Sequence, residues 1–189
     1  PAIINTMRYL EEQGFRVTFL PVDHYGRVQL EALKEALCDE TILVSVMYVN
    51  NEVGSVQPVA EAASIVKAYN KNILFHVDAV QGFGKYRIHP KKLGVDLCSI
   101  SGHKIHGPKG TGVLYIDSKV KIKPILFGGE QQKNIRSGTE NVPGIAGMSL
   151  AAKTIYEDLD EKVQKMRKLK EHFIEGIARI ENTTIHGLY

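Results

Sequence analysis

Cysteine is scarce in this sequence, and its scarcity excludes two classes of protein. Only Cys38 and Cys98 occur among the 189 residues, and they do not form a C-x-x-C pair. A small secreted fold held by disulfides and a cysteine-ligated zinc site both need more thiols at closer spacing. The sequence therefore predicts a protein of a reducing compartment, which we expect to be the cytoplasm, and it predicts no metal site.

Long hydrophobic runs and a strong charge of one sign are also missing. No apolar run approaches the roughly 18 residues that a membrane span needs, and we expect no signal peptide. The formal net charge is only +3, and the basic residues do not form one face interleaved with aromatic residues. We therefore expect neither a membrane nor a nucleic acid as a partner. The 43% apolar and 24% charged residues are typical of an ordinary globular protein.

The first part of the chain alternates between helical and strand-like patterns. Helices are predicted over 2–13, 29–37 and 58–69, and strands over 15–22, 42–49, 73–80, 95–101 and 111–116. Pro58 stands where a helix should begin, since its fixed φ suits the first helical position. This alternation predicts the α/β class, as a three-layer α/β/α domain with a mainly parallel sheet and right-handed crossovers.

Residues 142–189 have a different texture. Apolar residues from Ile155 to Ile177 recur at helical spacing, and the acidic residues of this stretch precede the basic ones. That order of charges favours the helix dipole. We predict one long amphipathic helix with a solvated charged face, following a core formed by residues 1–141.

Two charged residues mark a candidate site. Asp78 ends the apolar run "ILFHVD", and Lys104 follows the next apolar run, "VDLCSIS". Ligands of open α/β sheets bind beyond the carboxyl ends of the strands. A carboxylate and an amine suit pyridoxal 5'-phosphate, which needs an acidic partner for its ring nitrogen and a lysine for its aldehyde. From these two residues alone, a simple ion pair is an equally good interpretation.

A nucleotide is the weaker cofactor hypothesis. "GPKGTG" from Gly107 has the glycines of a phosphate loop, yet it lacks the G-K-[ST] ending. No G-x-G-x-x-G opens the first strand–helix unit either.

Four motifs together decide between these hypotheses. "VNNEVG", "HVDAVQ", "SGHKIHGPKG" and "RSGTEN", in this order, closely resemble the class V aminotransferase-like enzymes of fold type I, and within them the cysteine desulfurases. The resemblance covers essentially the whole chain. It implies that residues 1–141 are part of the cofactor-binding core of a large domain. It also implies that 142–189 leads toward a small domain, so that the chain is expected to be a piece of a longer protein.

The resemblance assigns roles to the residues around the cofactor ring. Lys104 matches the lysine that forms the Schiff base and also moves protons, and Asp78 matches the partner of the pyridinium nitrogen. Gln81 matches a residue that hydrogen-bonds the ring oxygen. Asn51 matches a residue near that oxygen and the substrate. By their own residue types, Gln81 and Asn51 suit capping or turn roles equally well.

The resemblance also assigns the phosphate ligands. Ser101 and His103 flank the lysine and match two of them. Thr139, in the "RSGT" loop with Arg136, matches a ligand supplied to the cofactor of the neighbouring subunit, which implies a homodimer. The remaining histidines are interpreted as structural or surface residues: among them His76, His89 and His106.

The implied reaction converts L-cysteine to L-alanine and passes the sulfur to an enzyme cysteine as a persulfide, for iron–sulfur cluster or thiolation pathways and their acceptor proteins. Neither cysteine of this chain is expected to be that nucleophile. Cys38 precedes Asp39 and Glu40, whose charges should raise a thiol pKa, and Cys98 lies in a buried strand. The 189-residue chain is therefore expected to be inactive. Alternatives are another class V enzyme, such as a selenocysteine lyase or a small aminotransferase, or a non-catalytic dimerising or scaffold domain.

Overall fold

The computed structural model describes residues 2–187 and has a four-stranded sheet at its centre. The strands are β1 (Leu43–Met47), β2 (Leu74–Asp78), β3 (Leu97–Ser101) and β4 (Gly112–Ile116), and they lie side by side in chain order. The first three strands run parallel, and β4 pairs with β3 in the antiparallel sense. This mainly parallel sheet, flanked by helices, confirms the predicted α/β class.

In the described residues, two helices precede β1, one connects β1 to β2, and two follow β4. They are α1 (Ala2–Glu12), α2 (Leu30–Ala36), α3 (Val59–Tyr69), α4 (Val142–Glu157) and α5 (Leu159–Ile177), with a short 3-10 helix over Gly102–Ile105. Pro58 was predicted to be the first residue of this helix, but it is the N-cap of α3, which begins at Val59. No helix in residues 2–187 combines the length and the apolar character that crossing a bilayer requires.

The core lies on one face of the sheet. Alternate strand residues such as Val46, Phe75, Val77 and Cys98 are buried there, together with the apolar residues of α3. Because side chains alternate along a strand, the intervening residues point to the other face. That face is only half-buried, and it carries polar residues: Ser45, His76, Asp78, Ser99 and Ser101. The sheet therefore has one apolar face for stability and one polar face available for chemistry.

A half-buried ion pair joins α3 to the sheet. Lys67 Nζ lies 2.5 Å from Asp96 Oδ2 and donates to the carbonyl of Ile73 at 2.6 Å. Asp96 Oδ2 also accepts the backbone N–H of Phe75 at 2.7 Å. The pair thus satisfies backbone groups at the start of β2 and sets the position of that strand against α3.

The predicted strand over 15–22 is wrong. In the described residues this segment makes only one bridge, between Val22 and Val28. Phe15 and Phe19 are both 51% exposed. Alternation gives the segment an apolar side, but a strand also needs a neighbour that takes up its backbone hydrogen bonds. No strand in residues 2–187 does so.

The single long helix predicted over 142–189 is also wrong. Two helices occupy this region, and they meet at Asp158, whose φ of −122° and ψ of 39° are not helical. Leu159 is buried directly after the break, and Asp160 forms an ion pair with Arg87 at 3.1 Å. The helical hydrogen-bonding pattern is thus interrupted at Asp158, and the start of α5 is tied to the rest of the fold. The division into 1–141 and 142–189 stays a prediction.

Candidate cofactor site

The predicted site residues lie mostly beyond the carboxyl ends of three neighbouring strands. Asn51 follows β1, Asp78 ends β2 and begins the segment to Gln81, and Ser101 ends β3 just before Lys104. Because β1, β2 and β3 are parallel, these ends meet at one edge of the sheet, where ligands of open α/β sheets bind. The fold thus brings together groups that the sequence separates widely.

In the described residues, only one of the two carboxylate oxygens of Asp78 accepts a hydrogen bond. Its Oδ1 accepts the backbone N–H of Val80 at 3.0 Å, which fixes the orientation of the carboxylate. Its other oxygen has no hydrogen-bond partner in residues 2–187, and no ion pair of this region includes the residue. A half-buried carboxylate with a free oxygen is suited to accept an N–H from a protonated ring nitrogen.

Lys104 is exposed and follows β3, the strand next to the one that Asp78 ends. The two side chains nevertheless form no ion pair. None of the ion pairs or hydrogen bonds in the described part of the chain involves its Nζ. The alternative interpretation, a simple Asp78–Lys104 ion pair, is therefore not what the structure shows. Lys85 is a second amine, whose pKa is lowered by burial and then by the charge of Lys104.

The turn that carries Lys104 depends on a glycine. Gly102 is buried, and a Cβ there would overlap the Thr111 hydroxyl and lie 3.3 Å from the sulfur of Met148. Its N–H donates to the carbonyl of Thr111, and its own carbonyl accepts the N–H of Gly107, both at 2.9 Å. Only a residue without a side chain allows this close approach. The turn then presents residues 103 and 104 to solvent.

Ser101 and His103 form a polar pair on either side of Gly102. Ser101 Oγ lies 2.7 Å from His103 Nδ1. The bond between them uses one proton of the pair, and an anion that replaces this bond can accept from both the hydroxyl and the imidazole. The pair fits the phosphate-binding role that the resemblance implies.

The segment after β2 is fixed by a tyrosine of α4. The hydroxyl of Tyr156 donates to the carbonyl of Tyr86 at 2.9 Å and accepts the N–H of Gly84 at 3.0 Å. A Cβ on Gly84 would lie 2.9 Å from both Ile105 and Ile155. Gln81 lies half-buried at the start of this segment, so α4 holds the segment that carries Gln81 in place.

The two asparagines after β1 make different contacts. Asn50 Oδ1 accepts the backbone N–H groups of Glu52 and Val53 at 2.9 and 3.0 Å, which builds the turn. Asn51 is exposed, and its Nδ2 donates to Glu52 Oε1 at 2.5 Å. The turn role therefore belongs to Asn50 and leaves Asn51 at the surface.

The loop of Arg136 and Thr139 folds on itself. Arg136 Nη1 donates to the carbonyl of Ser137 at 2.9 Å, and the N–H of Gly138 donates to Gln131 Oε1 at 3.0 Å. Thr139 is exposed, and no hydrogen bond of the described residues joins it to Asp78, Ser101, His103 or Lys104. Its role across a dimer interface stays a prediction.

His76 was interpreted as structural or a surface residue, and the structure places it on the polar face of the sheet beside the site. Its Nδ1 lies 2.8 Å from Ser45 Oγ, and its Nε2 lies 2.9 Å from Ser99 Oγ. Burial lowers its pKa, and the charge of Asp78 opposes that effect. The sequence signal was available, because His76 lies two residues before Asp78 on the same face of a strand.

The prediction for the Cys38 thiol was wrong in sign. Its pKa is lowered, chiefly by a hydrogen bond with Thr41, and also by Arg16, whose Nη2 lies 2.7 Å from the sulfur. The neighbouring carboxylates do not dominate, because Glu40 pairs with Arg16 at 2.9 Å and Asp39 accepts from the hydroxyl of Tyr69 at 3.2 Å. Cys38 precedes β1, however, and so lies at the amino end of the sheet, away from Lys104.

Cys98 behaves as predicted for a buried thiol. It is fully buried in β3, and burial raises its pKa to about 11. Its side chain points to the apolar face, opposite to Asp78.

Comparison with known proteins gives a consistent result. Residues 1–188 match the family described as aminotransferase class-V. The cysteine desulfurase IscS of Methanosarcina thermophila is 47% identical over 186 residues, which are 98% of this chain and 46% of that protein. The cysteine desulfurase IscS of Clostridium botulinum (strain Hall) is 46% identical over 187 residues, which are 98% of this chain and 47% of that protein.

Solved structures show the same likeness. A NifS-like protein superposes with a TM-score of 0.95 at 45% identity, over 99% of this chain and 51% of the other. DndA from Streptomyces lividans superposes with a TM-score of 0.86 at 38% identity, over 95% of this chain and 51% of the other. The chain thus spans about half the length of the curated relatives that it matches.

Proposed function

The chain belongs to the aminotransferase class-V family, and we propose that it forms the cofactor-binding core of a pyridoxal-phosphate-dependent cysteine desulfurase. One observation carries the proposal. The open oxygen of Asp78, the Ser101–His103 pair and the unpaired amine of Lys104 meet at the carboxyl ends of β2 and β3. This donor set fits the cofactor, which needs an acceptor for its ring N–H, donors for its phosphate and a lysine for its aldehyde.

Each side chain of the site has its own role toward the cofactor. When bound, the cofactor supplies a protonated ring that takes up electrons from the substrate carbon. Asp78 keeps the ring nitrogen protonated by accepting its N–H. Ser101 and His103 donate to the phosphate oxygens, and Gln81 with Asn51 serves the ring oxygen. Lys104 would hold the aldehyde of the cofactor, and its amine would move the proton at the substrate Cα as a general base and acid.

The proposed substrate is L-cysteine, and the products are L-alanine and an enzyme persulfide that supplies sulfur to acceptor proteins. The persulfide needs a cysteine other than the two of this chain. Cys98 is buried with its pKa raised to about 11, and Cys38 lies at the opposite end of the sheet. The proposal includes a cytoplasmic homodimer in which Thr139 serves the partner subunit's cofactor.

The test uses the full-length protein and two lysines of one turn. Lys104→Ala should abolish alanine and sulfide formation from L-cysteine in the presence of reductant and added cofactor. Lys109→Ala, an exposed residue five positions further on, is the matched control and should retain activity. Borohydride reduction and peptide mapping should place the pyridoxyl label on Lys104. Label on Lys85 or Lys109, or full activity without Lys104, would overturn the proposal.

A further inference from the structure

Two buried polar side chains lie in or next to the turn that carries Asn51, and the proposed mechanism uses neither. Apart from the thiol of Cys98, the polar side chains buried in the described residues are those of Ser55 and Gln57, which are 1% and 8% exposed. A buried polar group adds little stability over an apolar group of the same shape, whereas a fully satisfied buried network fixes one geometry. The two side chains therefore indicate a place where geometry is set.

Gln57 binds the backbone of a neighbouring segment, residues 22–28, which we name the hairpin because a bridge between its two ends closes it. Gln57 Oε1 accepts the N–H of Val28 at 2.8 Å, and Gln57 Nε2 donates to the carbonyl of Gly26 at 2.9 Å. One amide side chain thus satisfies two backbone groups of the hairpin. It thereby fixes where the hairpin lies relative to Gln57.

Ser55 makes a third bond to the hairpin, at its tip. Its hydroxyl donates to the carbonyl of Tyr25. Gly26 has a φ of +77°, and a Cβ there would lie 3.2 Å from a methyl group of Val53 and 3.3 Å from the Ser55 hydroxyl. The backbone conformation and the narrow space both favour glycine at this position. The tip of the hairpin therefore fits closely against residues 53–55.

Ser55 also closes the turn that carries Asn51. We name residues 49–56 the Asn51 turn, because a bridge joins its two ends. Inside it, the N–H of Asn50 donates to the carbonyl of Ser55 at 3.0 Å, and the N–H of Gly54 donates to the carbonyl of Asn50 at 3.1 Å. Asn51 lies between these bonded residues, so its position follows from the shape of the turn.

The base of the Asn51 turn is bonded to the strand that ends in Asp78. The N–H of Tyr48 donates to the carbonyl of Asp78 at 2.8 Å, and the carbonyl of Tyr48 accepts the N–H of Gln57 at 2.9 Å. Gln57 is thus joined through its backbone to the candidate site and through its side chain to the hairpin. A continuous path of hydrogen bonds therefore connects the hairpin with the site.

We propose that Gln57 is a positioning residue: together with Ser55, it uses the hairpin as a support that holds the Asn51 turn, and with it Asn51, at the carboxyl end of β1. The inference rests on the proposed function, because that function assigns Asn51 to the cofactor. It differs from a purely stabilising role of the two buried side chains, since such a role would not act through Asn51.

The first test measures hydrogen exchange by NMR in the cofactor-free full-length protein. Gln57→Met removes both side-chain bonds to the hairpin and keeps an unbranched side chain of similar length. Exchange at the N–H of Val28 should accelerate at least about tenfold, because this group loses its partner. Exchange at the N–H of Asn50, which is bonded inside the Asn51 turn, should accelerate as well, because the turn loses its support.

Gln29→Met is the matched control, since it makes the same change on a glutamine next to the hairpin. Gln29 is exposed, and its Nε2 donates to the carbonyl of Val22 at 3.2 Å. Water can replace such a bond, so both exchange rates should stay within about twofold. Unchanged exchange at Asn50 in Gln57→Met would overturn the proposal whatever happens at Val28, because the turn would then keep its shape without the hairpin.

A second variant covers the case in which Gln57→Met does not fold. Ser55→Ala removes only the hydroxyl bond to Tyr25 and keeps the backbone bond to Asn50. It should accelerate exchange at the N–H of Asn50 about threefold. No change at Asn50 would again overturn the proposal.

The second test asks whether Gln57 acts through Asn51 on the cofactor. Asn51→Ala should weaken binding of pyridoxal 5'-phosphate about fivefold, the loss expected for one hydrogen bond, and Gln57→Met should weaken it by a similar factor. The double variant should bind within about twofold of Asn51→Ala alone, because a residue that acts through Asn51 has no effect once that side chain is gone. Gln29→Met should leave the affinity unchanged.

The outcomes of the second test are distinguishable. Losses that multiply in the double variant would show that Gln57 acts on the cofactor by another route, and they would overturn the inference. An affinity that Asn51→Ala does not change would also overturn it, because the turn would then serve no contact with the cofactor. If the unaltered protein binds no pyridoxal 5'-phosphate, the proposed function fails, whereas the exchange rates still support or overturn the positioning of the Asn51 turn.

Discussion

The two thiols of this chain should be alkylated at very different rates, because the structure gives them different pKa values. A thiol whose pKa is about 11, as burial gives Cys98, is ionised to roughly one part in 3,000 at pH 7.5. An ordinary thiol, with a pKa of 9.0, is ionised to about one part in thirty at the same pH. The pKa of Cys38 is lowered from that value, chiefly by its bond with Thr41 and also by Arg16, so its thiolate fraction should exceed about one part in thirty. Because the thiolate is the reacting species, Cys38 should be alkylated at least about a hundred times faster than Cys98 from ionisation alone.

Iodoacetamide labelling followed by peptide mass spectrometry measures both rates in one sample. Raising the pH from 7.5 to 9 should accelerate Cys98 about thirtyfold, in proportion to its thiolate, whereas the rate of Cys38 should rise by a smaller factor because its pKa is lowered. Thr41→Val and Arg16→Gln should each slow Cys38 at pH 7.5 and leave Cys98 unchanged. Similar rates for the two thiols, or a Cys38 rate indifferent to both substitutions, would refute the assignment of the pKa shift to these contacts.

Three further predictions concern stability, the lysine turn and the subunit interface. Lys67→Met should lower the free energy of unfolding by about 2 kcal/mol in urea titrations, since it removes charge-assisted bonds to Asp96 and to a backbone carbonyl. Lys34→Met, which breaks only an exposed pair, should cost less than about 0.5 kcal/mol, and equal losses would contradict the distinction. Gly102→Ala should abolish cofactor binding measured by absorbance, because its Cβ overlaps Thr111, and retained affinity would show that the turn can adjust. Mixing inactive Lys104→Ala subunits with inactive Thr139→Ala subunits should restore part of the activity, and no recovery would place Thr139 in the site of its own subunit.

The site was predictable where local pattern and strand order suffice. Asp78 and Lys104 follow apolar runs, and the rule that ligands bind beyond strand ends brings them to one edge without any distance information. The same local patterns failed where a distant partner decides the outcome. The segment 15–22 alternates correctly, but no described strand pairs with it. Cys38 was assigned the wrong pKa direction because the sequence does not show its hydrogen bond with Thr41 or the contact with Arg16, which also pairs with Glu40.

His76 shows the same limit at the site itself. From the sequence it is one histidine in an apolar strand, and such a residue is usually structural. Its significance comes from Ser45 and Ser99, which lie on two other strands and reach it only through the sheet register. The helix break at Asp158 was not predicted for a related reason: the apolar spacing continues through it, and only the structure shows that the dihedral angles of Asp158 are not helical.

The 189-residue chain assayed by itself should not release sulfide from L-cysteine, even with excess cofactor and reductant. A persulfide forms only when a thiolate comes within about 3–3.5 Å of the substrate sulfur, in line for attack. The structure removes both candidates for separate reasons: the Cys98 thiol is buried on the apolar face with its pKa raised to about 11, and the reactive Cys38 precedes β1, at the end of the sheet remote from Lys104. Neither thiol therefore combines a reactive thiolate with a position at the site. Sulfide production above the background of free cofactor, lost in Lys104→Ala and in Cys38→Ser, would show that Cys38 reaches the substrate after all.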